Sequence, residues 1–303
     1  MRFYINRKPV LGAWGGGNMF NMAFHKHIEE SEHDQLVSDE VTPIDRFLIM
    51  GLNAEQNMAS LDRAVMYRLL VNPNSKIYLR VNENDARKNT TGVDRSFYDA
   101  SQHVDGTIFV SNWLRDYYGT RWQCKNATVI RNGVSTNTFK PNETINRALT
   151  SRPCHLVAHH WSNNVMKGFD IYDKLDKYVA TRSDRYKFTY IGRERGTFKN
   201  TTVIKPLWGK SLGTELANHD VYISGSRFDP GPNHILEALS CKLPTYVHKD
   251  GGGCVEFAGN DHVYNDWDAL KLLLDKGEFT PNDVVLSSWD DCIKQYKDFM
   301  ENT

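Results

Sequence analysis

Two carboxylates with seven residues between them, Asp229 and Glu237, stand in the run SGSRFDPGPNHILEALSCKLPTYVHKDGGGCVEF from Ser224 to Phe257. The pattern places Asp229 in a loop and Glu237 inside the helix that follows. There one carboxylate can accept hydrogen bonds from sugar hydroxyls and the other from a ribose. Between them, Gly231 and Asn233, read as the helix N-cap, prepare backbone N–H groups for a phosphate, whereas Pro232 has none to donate. Lys167-Gly168 opens another predicted helix, after His159, His160, Trp161, Ser162 and Asn163. An ammonium beside a helix N-terminus suits a diphosphate, although a lysine so placed is equally an ordinary surface residue. A third loop, Gly12, Gly15, Gly16, Gly17 and Asn18, lets backbone approach a phosphate or sugar, or is simply a tight turn. Phe20 fills the last glycine position of a GxGxxG pattern counted from Gly15, so a nicotinamide dinucleotide site loses its main support.

Short apolar runs and helical patterns alternate around these loops. In the first half, runs at 3–11, 45–52, 76–81, 105–111 and 127–130 read as strands, and 19–30, 60–70 and 112–118 as helices. The polar stretch VSTNTFKPNETINRALTSRP then places a boundary between Thr138 and Pro153. A second series follows: strands at 155–158, 187–191, 220–224 and 244–248, helices at 167–179, 211–217 and 233–240. Beta-alpha alternation implies parallel sheets, so the expected fold is α/β with two doubly wound, Rossmann-like domains. The expected division is 1–138, a linker 139–152, a second domain 153–285 and a tail helix 286–303. Ligands of such sheets bind beyond the carboxyl ends of the strands, and two such domains facing each other are expected to form a cleft.

Balanced charge, 37 Lys and Arg against 37 Asp and Glu, gives the chain no overall attraction to nucleic acid or acidic membranes, so neither is expected as a partner. Peripheral membrane contact has no support in that balance. No apolar stretch approaches the ~20 residues of a membrane span, and a cytoplasmic protein is the expectation. Five cysteines without a CxxC pair argue against zinc knuckles and disulfides alike. Asp266-Trp267-Asp268, the one Asp-x-Asp candidate, reads as the start of a surface helix, so no metal site is expected. Trp113, Tyr117 and Tyr118 read as packing residues. Trp14, inside the glycine loop, is equally a sugar-stacking face or a wedge.

At this point DVYISGSRFDPGPNHILEALSCKLPTYVHKDGGGCVEF resembles the nucleotide-sugar signature of glycosyltransferase family 4, retaining enzymes of the GT-B fold. HHWSNNVMKGFD, VIRNGVSTNTFKP and DGTIFVSNWLRDYY resemble that family's lysine-glycine, interdomain and last N-domain segments. RVNENDARK from Arg80 is similar to compact members from bacteria and large DNA viruses. The resemblance implies a metal-independent, cofactor-free hexosyltransferase that uses a UDP- or GDP-sugar donor and a glycan, glycoprotein or glycolipid acceptor.

Carried over by position, Glu237 would bind the ribose, Asp229 the transferred sugar and Lys167 the diphosphate. Gly15 and Gly16 would face sugar and phosphates, and Gly231, Asn233, His234 and Ile235 complete the donor set. Lys167, Asp229 and Asp85 are the catalytic candidates. The family's first glutamate is Asp229 here, and its arginine before the lysine has become His160, Trp161 or Ser162. Arg193 either supplies the missing charge or is a solvent-exposed arginine. Arg80, Asn82 and Asp85 follow the strand KIYLRV where the family places its catalytic loop; they either orient an acceptor or form a salt-bridged loop. Trp289, Ile293, Tyr296 and Met300 share one helical stripe, and in the family such a tail helix crosses back onto the first domain. The rival readings are a GT-B epimerase or phosphorylase and a non-catalytic nucleotide-sugar-binding protein.

Overall fold

Phe3, Ile5, Leu48, Tyr78 and Ile108 are buried on one face of a parallel sheet, and Tyr4, Phe47, Ile49, Ile77 and Leu79 on the other. Strands covered on both faces read as continuous apolar runs. The structure is a computed structural model that describes residues 1–39, 41–52, 58–119, 122–145 and 152–303. Part of the expected linker, 146–151, lies outside the described residues.

The chain divides into two units, one of residues 1–11, 16–133 and 289–303, the other of residues 12–15 and 134–288. In the first, strands β1 (Arg2–Ile5), β2 (Gln35–Leu36), β3 (Arg46–Ile49), β4 (Lys76–Val81), β5 (Gly106–Phe109) and β6 (Ala127–Val129) form a parallel sheet in the order β2-β1-β3-β4-β5-β6. Helices α1 (Gly16–Glu29), α2 (Leu61–Leu70), α3 (Asp85–Lys88), α4 (Val93–Ser101) and α5 (Asn112–Tyr118) follow β1, β3, β4 and β5. Ser60, Asn84 and Ser111 cap α2, α3 and α5 by accepting first-turn N–H bonds.

The second unit holds β7 (Cys154–His160), α6 (Phe169–Ala180), β8 (Tyr186–Gly192), β9 (Thr202–Ile204), α7 (Gly209–Ala217), β10 (Val221–Ser224), α8 (Asn233–Ser240), β11 (Thr245–His248), α9 (Gly253–Ala258), β12 (Val263–Tyr264) and α10 (Trp267–Lys276). Its parallel sheet runs β12-β11-β10-β7-β8-β9. The strand order reverses between β7 and β10, which makes their carboxyl ends the crevice where such sheets bind ligands. The division falls at Gly133, ahead of the expected 138, because Val134 and Phe139 are buried in the second unit's core.

Helix α11 (Trp289–Asn302) belongs to the first unit, where Cys292, Ile293, Tyr296 and Met300 bury fully beside Phe20, Phe24 and Tyr78. Tyr78 Oη and Arg46 Nε both donate to the Met300 carbonyl, at 2.9 and 2.7 Å. Asp34 anchors the same helix by accepting from Lys297 Nζ and from Ser31 Oγ. Burial alone would raise the Asp34 pKa, but the bond from Lys297 leads the opposing effects and holds it down at about 2. A depressed carboxylate stabilises the fold above its unfolded pKa of 3.8 and loses that contribution as pH falls through about 2. Thermal unfolding of the wild type should therefore lose about 2 kcal/mol between roughly pH 5 and pH 2 that Asp34→Asn lacks at every pH. Parallel melting curves for the two proteins across that window would remove Asp34 from the anchoring of α11.

Candidate functional site

At the β7/β10 reversal, a short 3-10 turn Val165–Lys167 precedes α6, so Lys167 ends a turn and is not the helical residue that the sequence suggests. Gly168 has φ +88°, and a Cβ there would lie 2.1 Å from the Gly225 carbonyl oxygen. Only glycine lets the turn lie against the loop after β10. The contact is fastened by Arg227 N–H, which donates to Met166 O at 2.8 Å, and it brings Lys167 Nζ to 3.1 Å from Asp229 Oδ2. Both side chains of this ion pair are nearly buried, at 13 % and 9 % exposure.

Asp229 is held from the other side by the loop after β11. Asp229 N–H donates to Gly251 O, and Asp229 O accepts from Gly253 N–H at 2.8 Å. Gly252 has φ +67°, and a Cβ there would stand 2.9 Å from both Asp229 N and Asp229 O. The three consecutive glycines thus allow two loops to run side by side beneath the carboxylate.

Glu237, on the first turns of α8, meets the end of β7: His159 Nε2 lies 2.8 Å from Glu237 Oε2. Tyr172 Oη accepts from Gly225 N–H at 3.0 Å and lies 2.8 Å from His160 Nε2, which ties the end of β7 to the loop after β10. His234 Nε2 stands 3.0 Å from Ser224 Oγ, and Ile235 is fully buried in the core. Helix α8 starts at Asn233 with Pro232 as its cap residue, which corrects Asn233 as N-cap; proline has no side-chain acceptor and makes no side-chain capping bond here. Gly231 lies in the same loop, half-buried. Among the described residues, Asp229, His234 and Cys254 bring one donor atom each within 4.8 Å of one another, the set that could hold a metal ion. Asp229 is meanwhile committed to Lys167.

No family model and no curated protein matches the chain in sequence. Solved structures do. A sucrose-phosphate synthase from Thermosynechococcus elongatus matches with a TM-score of 0.73 and 10 % identity over 99 % of this chain and 98 % of its own. WaaG, a glycosyltransferase involved in lipopolysaccharide biosynthesis, matches at 0.61 and 11 % identity over 98 % and 95 %. The catalytic domain of starch synthase IV from Arabidopsis thaliana, bound to ADP and acarbose, matches at 0.57 and 11 % identity over 95 % and 76 %. The fold is that of the GT-B glycosyltransferases. At these identities the likeness is one of architecture.

Within this GT-B architecture the remaining candidates separate. Trp14 and Gly15 group with the second unit, where the half-exposed Trp14 ring lies 5.4 Å from that of Trp161 and a Cβ on Gly15 would meet Trp161 Nε1 at 3.0 Å. The exposed Arg193 places its guanidinium 5.7 Å over the Trp161 ring. Arg227 forms a bidentate pair with Asp170, both bonds 2.7 Å. Burial would raise the Asp170 pKa, and this pairing outweighs it and lowers it.

In the first unit, Gly16 begins α1. Arg80 is buried, with Nε donating to Tyr296 Oη at 3.0 Å, Nη2 to Asn132 Oδ1 at 2.8 Å and the guanidinium 4.5 Å over Phe20. Asn82 is half-buried, its Nδ2 3.2 Å from where a Gly17 Cβ would stand. The Asp85 carboxylate accepts from Thr90 Oγ1 and from the N–H groups of Gly92, Val93 and Asp94, all within 3.1 Å. Burial would raise the Asp85 pKa; the backbone N–H groups of residues 92–94 and the Thr90 hydroxyl overcome that and lower it. Asp85 thus organises the turn between α3 and α4, and Lys88 with Glu83, 3.1 Å apart, supplies a salt bridge to the same segment. Trp113, Tyr117 and Tyr118 pack among themselves and on Trp122. Asp266 caps α10 through Ala269 N–H.

The residues that sequence reasoning passed over are His159, Tyr172, Gly225 and Gly251–Gly253. For His159, Gly225 and Gly251–Gly253 the only signal was position, at or just after the ends of β7, β10 and β11, and Tyr172 lies on the buried face of α6.

Proposed function

We propose that the chain is a retaining glycosyltransferase of family 4 that moves a hexose from a UDP- or GDP-sugar to a glycan, glycoprotein or glycolipid acceptor, without a metal. The observation that carries this reading is the Lys167–Asp229 pair at the β7/β10 reversal, with Glu237 on the adjoining helix. In this reading the ribose bonds Glu237, Asp229 accepts from hydroxyls of the transferred sugar, and Lys167 turns its ammonium toward the diphosphate. Departure of the nucleoside diphosphate builds negative charge, which Lys167 and the N-terminus of α8 are placed to stabilise. Trp14, Gly15 and Arg193 of the second unit complete the donor side, and Arg80 and Asn82 of the first unit are assigned to the acceptor. Asp85 is left to hold its turn. The ADP and acarbose of the starch synthase structure support the choice of a nucleoside diphosphate and a carbohydrate.

Thermal unfolding with UDP, GDP, ADP, their hexose conjugates and NAD, in metal-free buffer, tests the donor site. A ligand at ~100 times its dissociation constant adds ~2.7 kcal/mol, a shift of several degrees at this size. A shift with one base family, followed by nucleotide release only when a saccharide acceptor is added, is the expected result. A shift with NAD alone, or with none of these ligands, overturns the reading, and nucleotide release without any acceptor overturns transfer.

A further inference from the structure

His159 is buried at the end of β7, with its backbone clamped by one hydroxyl. His159 N–H donates to Tyr222 Oη at 3.1 Å, and Tyr222 Oη donates back to His159 O at 3.3 Å. The ring therefore leaves a fixed anchor. Its Nε2 meets Glu237 Oε2 at 2.8 Å, while Nδ1 is buried with no hydrogen-bond partner among the described residues. A single ring proton belongs on Nε2, because a proton on Nδ1 would be buried without an acceptor while Nε2 faced the carboxylate with a lone pair. The groups around the ring are His160, Tyr222 and His234, with centroids 6.5, 5.5 and 6.2 Å away; among these ring neighbours none is a carboxylate that would compete with Glu237.

We propose that His159 is the positioning residue for Glu237 and, through it, makes the site select ribonucleoside over deoxyribonucleoside diphosphates. The proposal rests on the reading of Glu237 as the ribose ligand. Nε2–H fixes one carboxylate oxygen, so Oε1 is presented in one orientation to a ribose hydroxyl. A glutamate without that bond keeps its charge but samples several rotamers, and a vicinal diol then gains little over a single hydroxyl.

The test measures binding of UDP, GDP and ADP, their 2′-deoxy counterparts and inorganic pyrophosphate to the wild-type chain, H159F, H159N, H159Q and E237Q. Loss of an orienting bond to a charged group is expected to weaken ribonucleotide binding roughly tenfold or more in H159F, with the ribo-to-deoxy ratio falling toward one and pyrophosphate affinity unchanged. H159Q, whose amide nitrogen reaches as far as Nε2, should restore most of the ratio. H159N, whose amide stands where Nδ1 was, should not. In turnover the donor KM should rise more than kcat falls. A purely structural role would not separate Gln from Asn, so equal behaviour of these two folded variants overturns the proposal. If E237Q abolishes discrimination and H159F and H159N keep it, the role of His159 fails alone. If E237Q also keeps it, or the wild type binds none of the nucleotides, the ribose reading of Glu237 fails and takes the proposal with it.

Discussion

Gly168→Ala is expected to be among the most damaging single methyl additions in the second unit, and Gly196→Ala one of the mildest, although both glycines have φ near +90°, +88° and +89°. The shared backbone penalty for a side chain in that region is ~1–2 kcal/mol. Gly196 has nothing within 4 Å of its would-be Cβ, so that penalty is all it incurs. At Gly168 the new methyl would lie 2.1 Å from one backbone carbonyl oxygen, and neither side of the contact is a flexible chain end. The turn 165–168 must lift from residues 225–227, which breaks the Arg227 N–H bond to Met166 O and withdraws Lys167 from Asp229. We expect Gly196→Ala to lower Tm by a few degrees and Gly168→Ala to lower it several-fold more. In whatever fraction stays folded, sugar transfer should fall about a hundredfold, the usual consequence of a ~1 Å misplacement of a charged group. Equal Tm losses for the two variants, with transfer retained in both, would show that the turn does not position the lysine.

That contact also marks where sequence reading stops. Lys76–Val81 and Asn233–Ser240 are legible to the residue because burial on both sheet faces and a helical stripe leave patterns in residue type. Helix α3, DARK, is a single polar turn that leaves none, whereas α4 does carry one, Val93, Phe97 and Ala100 at helical spacing within an otherwise polar run, and it was passed over. Strands β2, β9 and β12 are two or three residues long, too short for any period to register. Lys167 and Asp229 stood out in the sequence as candidates because they lie in loops after parallel strands, where such sheets bind ligands, and the structure brings the two together. His159 did not, since a histidine ending a buried strand has the same local sequence whether it fills the core or orients a carboxylate 78 residues onward. Asp85 shows the converse. Its type and place suited catalysis, and what gives it a structural task is the set of N–H groups at residues 92–94, which no spacing rule connects to it.

Lys167→Ala should act twice, once on the unliganded protein and once on its donor, and the two effects can be separated. Without ligand it leaves Asp229 a buried carboxylate with its ammonium removed, a loss of ~3–5 kcal/mol when one partner of a buried pair is deleted. Asp229→Asn strands the ammonium in the same way, while Lys167→Ala with Asp229→Asn removes both charges and should recover most of the stability. Donor affinity should follow the lysine and ignore this recovery. Both proteins lacking Lys167 should bind nucleoside diphosphates ten- to hundredfold more weakly, as the loss of a charge-assisted bond of ~1.5–3 kcal/mol requires, and nucleosides with little change. Asp229→Asn alone should keep nucleoside diphosphate affinity and lose sugar transfer, because the ammonium remains for the phosphates while the acceptor for sugar hydroxyls is weakened. A pair whose purpose was stability alone would give the opposite pattern, with binding restored in the double variant together with Tm. Calorimetric titration of UDP, GDP and their nucleosides into the three variants, beside their melting temperatures, decides between the two: equal loss of nucleoside and diphosphate affinity in Lys167→Ala would take the ammonium away from the phosphates and leave the ion pair a fastening of the fold.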